Sequence, residues 1–151
     1  MTARSRLHEL GIRIPKVPAP LAVYVPAVRT GNLVYTSGQL PLVDGALTHV
    51  GKVGAEVTPE DAAAAARTCA INALAAVDAL VGIDTVTRVV KVVGFVASAP
   101  GFDGQPGVVN GASEFFGAVF GDAGAHARSA VGVSELPLNA PVEVELIVEV
   151  G

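Results

Sequence analysis

The 151-residue chain has no tryptophan, two tyrosines, five phenylalanines, a single cysteine, and only 16% charged residues. Each shortage excludes something. With Cys69 as the only cysteine there is no intramolecular disulfide. The first residues, with Arg4, Arg6, His8 and Glu9, are not a charged stretch leading into an apolar core, so the expectation is a reduced, cytoplasmic chain without a secretory signal. So few aromatics leave little material for stacking bases. Ten Lys+Arg against fourteen Asp+Glu give a formal net charge of -4 rather than a basic field, and nucleic acid is not an expected partner. His8, His49 and His126 match neither HExxH nor paired Cys/His spacing, so no metal is expected. A long uninterrupted apolar run is also missing. Residues 62–81 come nearest, but Arg67, Asn72 and Asp78 break them, and no membrane is expected.

What the chain does have is 51% hydrophobic residues, mostly alanine and valine, a mix of small helix formers and β-branched strand formers. Soluble domains usually carry about 25% charged residues, so this chain has too few to cover a lone globule. It should hide part of its surface against other copies of itself. The length suits one domain of ordinary size, and the residue mix points to an α+β oligomer.

Local patterns give the order of elements. A short helix at residues 4–10 leads into an extended N-terminal arm, residues 1–20 in all, closed by Pro15, Pro18 and Pro20. The domain proper is read as 21–151. Within residues 22–37, two antiparallel strands should flank Thr30-Gly31-Asn32, with Tyr24 and Val25 in the first. A loop region with a short strand at 46–50 follows. Thr58 as N-cap, Pro59 at the first position, Glu60 and Asp61 in the first turn and Gly82 at the end define the helix between them. Residues 85–98 read as a long buried strand, 106–121 as a second helix, and 127–133 and 142–150 as strands joined by 134–141. Gly107, Gly111 and Gly117 weigh against the second helix, at about 1 kcal/mol each relative to alanine. The last strand alternates Val142, Val144, Leu146 and Val148 with Glu143, Glu145, Ile147 and Glu149, so one face meets the helices and the other carries carboxylates. Two helices covering one face of a mixed sheet is the expected architecture.

Two places invite chemistry. Alternation puts Arg128, Ala130 and Gly132 on one face of their strand, a long cation beside two tiny residues, and a guanidinium fork suits a carboxylate ligand. If the last two strands pair antiparallel, Glu143 converges on Arg128, either as part of a site or as a structural Arg–Glu bridge at a subunit interface. The second place is Tyr35-Thr36-Ser37-Gly38-Gln39-Leu40-Pro41, where backbone and hydroxyl groups at a strand exit can hold a ligand, or where Ser37 and Gln39 simply cap the backbone. Ser37 lacks the GxSxG setting of a hydrolase nucleophile. His126, two residues before Arg128, is either an acid–base group or structural.

These segments resemble the Rid/YjgF family: residues 31–41, the helix containing Asn72 followed by Gly82-Ile83-Asp84-Thr85-Val86, Ala127-Arg128-Ser129-Ala130-Val131 with Leu136-Pro137, and Val142-Glu143-Val144-Glu145. They occur in order over nearly all of residues 20–150. The resemblance implies a chorismate mutase-like (YjgF-like) fold, a homotrimeric barrel with clefts between subunits, and hydrolysis of small 2-imino acids to 2-keto acids and ammonia. In such a trimer the sheet face opposite the helices, expected to hold Ala130, Gly132 and Ile147, would be the inner wall shared by three subunits. The resemblance also implies that Arg128 holds the substrate carboxylate and that Glu143 orients or activates the attacking water. Tyr24, Ser37, Gly38, Asn110 and Ala130 would line the cleft, and no metal or organic cofactor is needed. The chain departs from the archetype, with Ala130 in place of a usual cysteine and Ala22-Val23 in place of Gly-Pro, which marks a separate subgroup. A non-catalytic, carboxylate-binding or regulatory role in the same cleft is the alternative. The family's association with RNA cleavage finds no basic or aromatic platform in this chain.

Overall fold

Thr58 caps the central helix as its sequence requires, its side chain accepting from the Asp61 N–H, and the 23 residues Pro59–Val81 run to Gly82 without a break. The computed structural model describes residues 1–17 and 23–151. The expected boundary between arm and domain at 20/21, the arm prolines Pro18 and Pro20, and the start of the first predicted strand at 22 lie outside the described residues. In chain order the main elements are α1 (Ala3–Glu9), β1 (Ala27–Thr30), β2 (Leu33–Thr36), β3 (Leu42–Val43), β4 (Ala46–Leu47), α2 (Pro59–Val81), β5 (Val86–Ala97), α3 (Gln105–Phe120), β6 (Ala127–Val133) and β7 (Val142–Val150).

Five strands form a mixed sheet in the order β1-β2-β7-β5-β6, and β3 and β4 form a separate hairpin. All neighbours in the large sheet are antiparallel except β5 and β6, which are parallel and joined through α3. A parallel pair needs such a crossover, and the helix supplies it. β7 lies at the centre of the sheet. Val142, Val144, Leu146, Val148 and Val150 are buried, and they meet Val34 of β2, Val89, Val92 and Val96 of β5, and the alanine-rich face of α2. α2 is long and apolar enough to span a bilayer, yet it is the core helix of this fold. Its small side chains from Ala62 to Val77 are packed into the protein interior.

Small residues also explain how α3 survives its glycines. At Gly111 a Cβ would overlap the Ala63 carbonyl of α2, so this glycine is where the two helices touch backbone to backbone. α1 is docked rather than free. Leu7 is buried, Arg4 pairs with Asp78 at the end of α2, and the Arg4 N–H donates to the Asp84 carboxylate at 3.0 Å.

Three expectations are corrected. Tyr24 and Val25 are not in the first strand, which begins at Ala27, because Pro26 has no N–H for the ladder. The strand expected at 46–50 is shorter and paired with β3 through Asp44-Gly45, both at positive φ (51° and 81°), the conformation of a tight two-residue hairpin turn. Most consequential, β6 and β7 are not neighbours, since β5 runs between them.

Candidate functional site

Arg128 aligns with Val92 of β5, whose side chain is buried beneath the helices, so the Arg128 side chain rises on the helix face, beside α3. Asn110 and Ser113 are one helical turn apart on α3 and point to it together. Arg128 Nη1 donates to Asn110 Oδ1 at 2.7 Å and to Ser113 Oγ at 3.3 Å. Ser113 Oγ lies 2.9 Å from His126 Nε2, and His126 Nδ1 lies 2.6 Å from the Gly124 carbonyl. The ring of Phe116 meets the imidazole edge-on, with centroids 6.2 Å apart. Among the described residues Arg128 has no carboxylate partner. It is a half-buried cation held by neutral groups, on a strand that pairs on one side only. A planar fork in that setting is suited to an anion from outside the chain.

The second cluster forms where the β2–β7 ladder is interrupted. Pairing runs regularly to Tyr35 and Ile147. The next N–H of β7, that of Leu146, then donates to the buried Thr36 hydroxyl at 3.0 Å, and pairing resumes when Gln39 and Val144 exchange both bonds, at 2.8 and 3.0 Å. One residue more on the β2 side than on the β7 side makes this a bulge, which takes Ser37 and Gly38 out of the ladder and sets Gly38 against the Glu143 side chain. Burial, and secondarily the charge of Glu145, push the Glu143 carboxyl above its usual range. The buried Cys69 thiol nearby is also raised, mainly by burial and next by Glu143. Ser37 is used locally, with its hydroxyl donating to the Val25 carbonyl at 2.6 Å and its N–H to the Pro26 carbonyl at 2.8 Å. Gln39 Nε2 donates to the Ser37 carbonyl. In one chain these are the capping contacts of the simpler reading.

The two clusters do not meet within a protomer. Glu143 aligns with Phe95 and, through it, with Val131, whereas Arg128 aligns with Val92 and Leu146. Three residues along and two strand spacings across amount to roughly 10 Å in each direction. The residues are also on opposite faces: Glu143 alternates with the buried Val142 and Val144, while Arg128 joins α3. This corrects the expected convergence across an antiparallel pair and excludes an Arg128–Glu143 bridge in a single chain. It also corrects the face assigned to Ala130 and Gly132, which align with Gly94 and Val96 on the helix side, where Ala130 packs against the core. Tyr24 stands 71% exposed and takes no part in either cluster. The structure therefore joins Arg128 with Asn110, and Glu143 with Gly38, while the Ser37 side chain is bonded to Val25 instead. It adds Ser113, which sequence reasoning missed. The readable signal was its i, i+3 spacing from Asn110, together with a strand that had to run beside that helix.

The sequence profile of the family described as endoribonuclease L-PSP matches residues 15–150. A protein named TCP17 from Trypanosoma cruzi is 44% identical over 147 residues, 96% of this chain and 92% of its own length. A 2-iminobutanoate/2-iminopropanoate deaminase from Dermatophagoides farinae is 36% identical over 140 residues, 91% of this chain and 93% of its own. The crystal structure of a protein of unknown function from Agrobacterium tumefaciens superposes with a TM-score of 0.91 at 45% identity, covering 99% of this chain and 94% of that one.

Proposed function

The chain belongs to the endoribonuclease L-PSP family, the YjgF/Rid group, and on that premise we propose that it is a cytoplasmic homotrimer that hydrolyses small 2-imino acids to 2-keto acids and ammonia. The observation that carries this reading is Arg128, a guanidinium held by Asn110 and Ser113 and by no carboxylate among the described residues. In the proposed cleft it binds the substrate carboxylate. The Arg128 cluster of one subunit faces the Glu143, Ser37 and Gly38 cluster of the next, with Tyr24 and Ala130 completing the lining.

The chemistry asks little of such a site. Imines hydrolyse in water unaided, so orientation and one movable proton suffice, and a positioned acid–base group contributes about 10²–10⁴-fold. Glu143 takes a proton from water as the water oxygen bonds to the carbon of the protonated imine. The resulting tetrahedral species carries hydroxyl and amino groups on one carbon. Glu143 returns the proton to the nitrogen, the C–N bond breaks as the carboxylate takes the hydroxyl proton, and the 2-keto acid and ammonia leave, the ammonia carrying that last proton away as ammonium. A carboxyl raised by burial is suited to both directions of transfer. A second reading, carboxylate binding without catalysis, is favoured by one fact: the Arg128 cluster is complete in one chain without Glu143.

Generating 2-iminobutyrate in situ and following its loss tests both. Faster decay than in free solution, lost by at least about 100-fold in Arg128→Ala and in Glu143→Gln, supports the deaminase. A rate equal to that in free solution overturns it. Binding of 2-ketobutyrate that survives Glu143→Gln but not Arg128→Ala then leaves the second reading standing.

A further inference from the structure

His126 and Ser113 take no step in the chemistry above, yet their hydrogen bonds run in one direction, from Arg128 through Ser113 and His126 to the Gly124 carbonyl. A carbonyl only accepts, so the 2.6 Å contact from His126 Nδ1 to Gly124 requires the proton on Nδ1. The neutral ring then has a bare Nε2, and the Ser113 hydroxyl 2.9 Å away must be its donor. With its hydrogen spent there, Ser113 Oγ turns lone pairs to Arg128 Nη1. Asn110 Oδ1 takes the other Nη1 hydrogen. Both hydrogens of Nη1 are thereby committed, and of the five guanidinium N–H groups the Nε and Nη2 ones remain. Those form the side-on fork.

We propose that Ser113 and His126 are positioning residues, a relay that fixes the Arg128 guanidinium so that a ligand carboxylate is received side-on by Nε–H and Nη2–H. The proposal rests on reading Arg128 as the carboxylate clamp. His126 acts through Ser113, Ser113 acts through Arg128, and neither touches the ligand. Phe116, packed edge-on, holds the plane of the imidazole. The same chain of donors polarises each bond along it and favours one orientation of the serine hydroxyl.

Two measurements test this. Nitrogen-15 correlation spectra of the unmodified protein at pH 8 should show His126 protonated at Nδ1 and bare at Nε2, and a ring protonated at Nε2 overturns the relay without any variant. Calorimetric titration with 2-ketobutyrate, a stable 2-keto acid, should show Ser113→Ala and His126→Phe each weakening binding roughly tenfold, the loss of about one hydrogen bond to a charged group. The double variant should be no weaker than either single, because both cut the same chain. Ser113→Thr keeps the hydroxyl and His126→Gln keeps an acceptor at the Nε2 position, so both should bind within about threefold of the unmodified protein. Unchanged affinity in Ser113→Ala, or additive losses in the double variant, overturns the relay. Unchanged affinity in Arg128→Ala overturns the clamp reading itself, so the two failures are distinguishable.

Discussion

The Glu143 carboxylate lies over Gly38, in the space where any other residue would carry its Cβ. The bulge that lifts Gly38 out of the β2–β7 ladder and the absence of a side chain there together give Glu143 its position. Gly38 is not at positive φ, so alanine fits the backbone, and what must move is the flexible end of the Glu143 side chain. Gly38→Ala should therefore melt within about 3 °C of the parent, since the gain in chain stiffness offsets the local repacking. Imine hydrolysis should fall at least about tenfold as the base is displaced. Thermal denaturation beside an imine-loss assay checks both halves. Full activity in Gly38→Ala would remove Glu143, in its observed position, from the chemistry.

The raised Glu143 carboxyl makes a pH-dependent prediction of definite sign. Burial, then Glu145, disfavour the charged form in the folded chain, so the folded state holds its proton to higher pH than the unfolded state does. Between the ordinary carboxylate range and the raised one, the folded state binds more protons, and stability falls as pH rises through that window. Glu143→Gln removes this loss. Its Tm should exceed the parent's at pH 7 to 8, and the gap should close as pH falls below the ordinary carboxylate pKa of about 4.3. Activity should move the other way, absent in the variant, with an acid limb in the parent's kcat/KM profile above the ordinary glutamate range.

Gly111 separates a helix that merely tolerates glycine from one that needs it. Its α-carbon packs on the Ala63 carbonyl of α2, and alanine there forces the helices apart. Gly111→Ala gains helix propensity and loses the contact. Overpacking typically costs about 1–3 kcal/mol, which outweighs the propensity gain of about 1 kcal/mol, so the net is a loss of up to about 2 kcal/mol. That is a Tm lower by up to about 8 °C, readable by calorimetry. Gly107 and Gly117, which have open space around them, should accept alanine with no loss.

The same glycines show where the sequence could be read and where it could not. α2 was legible from Thr58 to Gly82 because caps and apolar stripe are local signals, and β7 because its alternation is clean. β6 was harder. Its exposure follows no regular period, since Ala127, Ser129, Ala130 and Gly132 are all small and neither face is marked as the buried one. Alternation grouped Arg128, Ala130 and Gly132 correctly, but no local signal marked their face, and the expected one, opposite the helices, is the wrong one. Strand neighbours were less legible still, because pairing is a tertiary outcome. The crossover through α3 puts β6 beside β5, and the chain then takes residues 134–141 to bring β7 into the centre. Arg128 and Glu143 were each identifiable from sequence as site candidates, while the strand between them, and Ser113 beside Asn110, only the fold makes visible.

Because β5 separates Arg128 from Glu143 and they project from opposite faces, a cleft that uses both must draw them from two copies of the chain. This predicts complementation. Arg128→Ala and Glu143→Gln trimers should each be inactive alone. If the two are co-expressed or unfolded and refolded together in equal amounts, subunits assort at random. A cleft works when the subunit contributing arginine has its arginine and the neighbour contributing glutamate has its glutamate, each a one-in-two event in a cyclic trimer. About one cleft in four should be intact, giving about a quarter of the parent activity per trimer. Light scattering on the same samples should report three subunits. A stable monomer, or mixed trimers as inactive as their parents, would exclude a cleft shared between subunits. The half-buried, carboxylate-bearing sheet face and the thin charge of the sequence would then need another explanation.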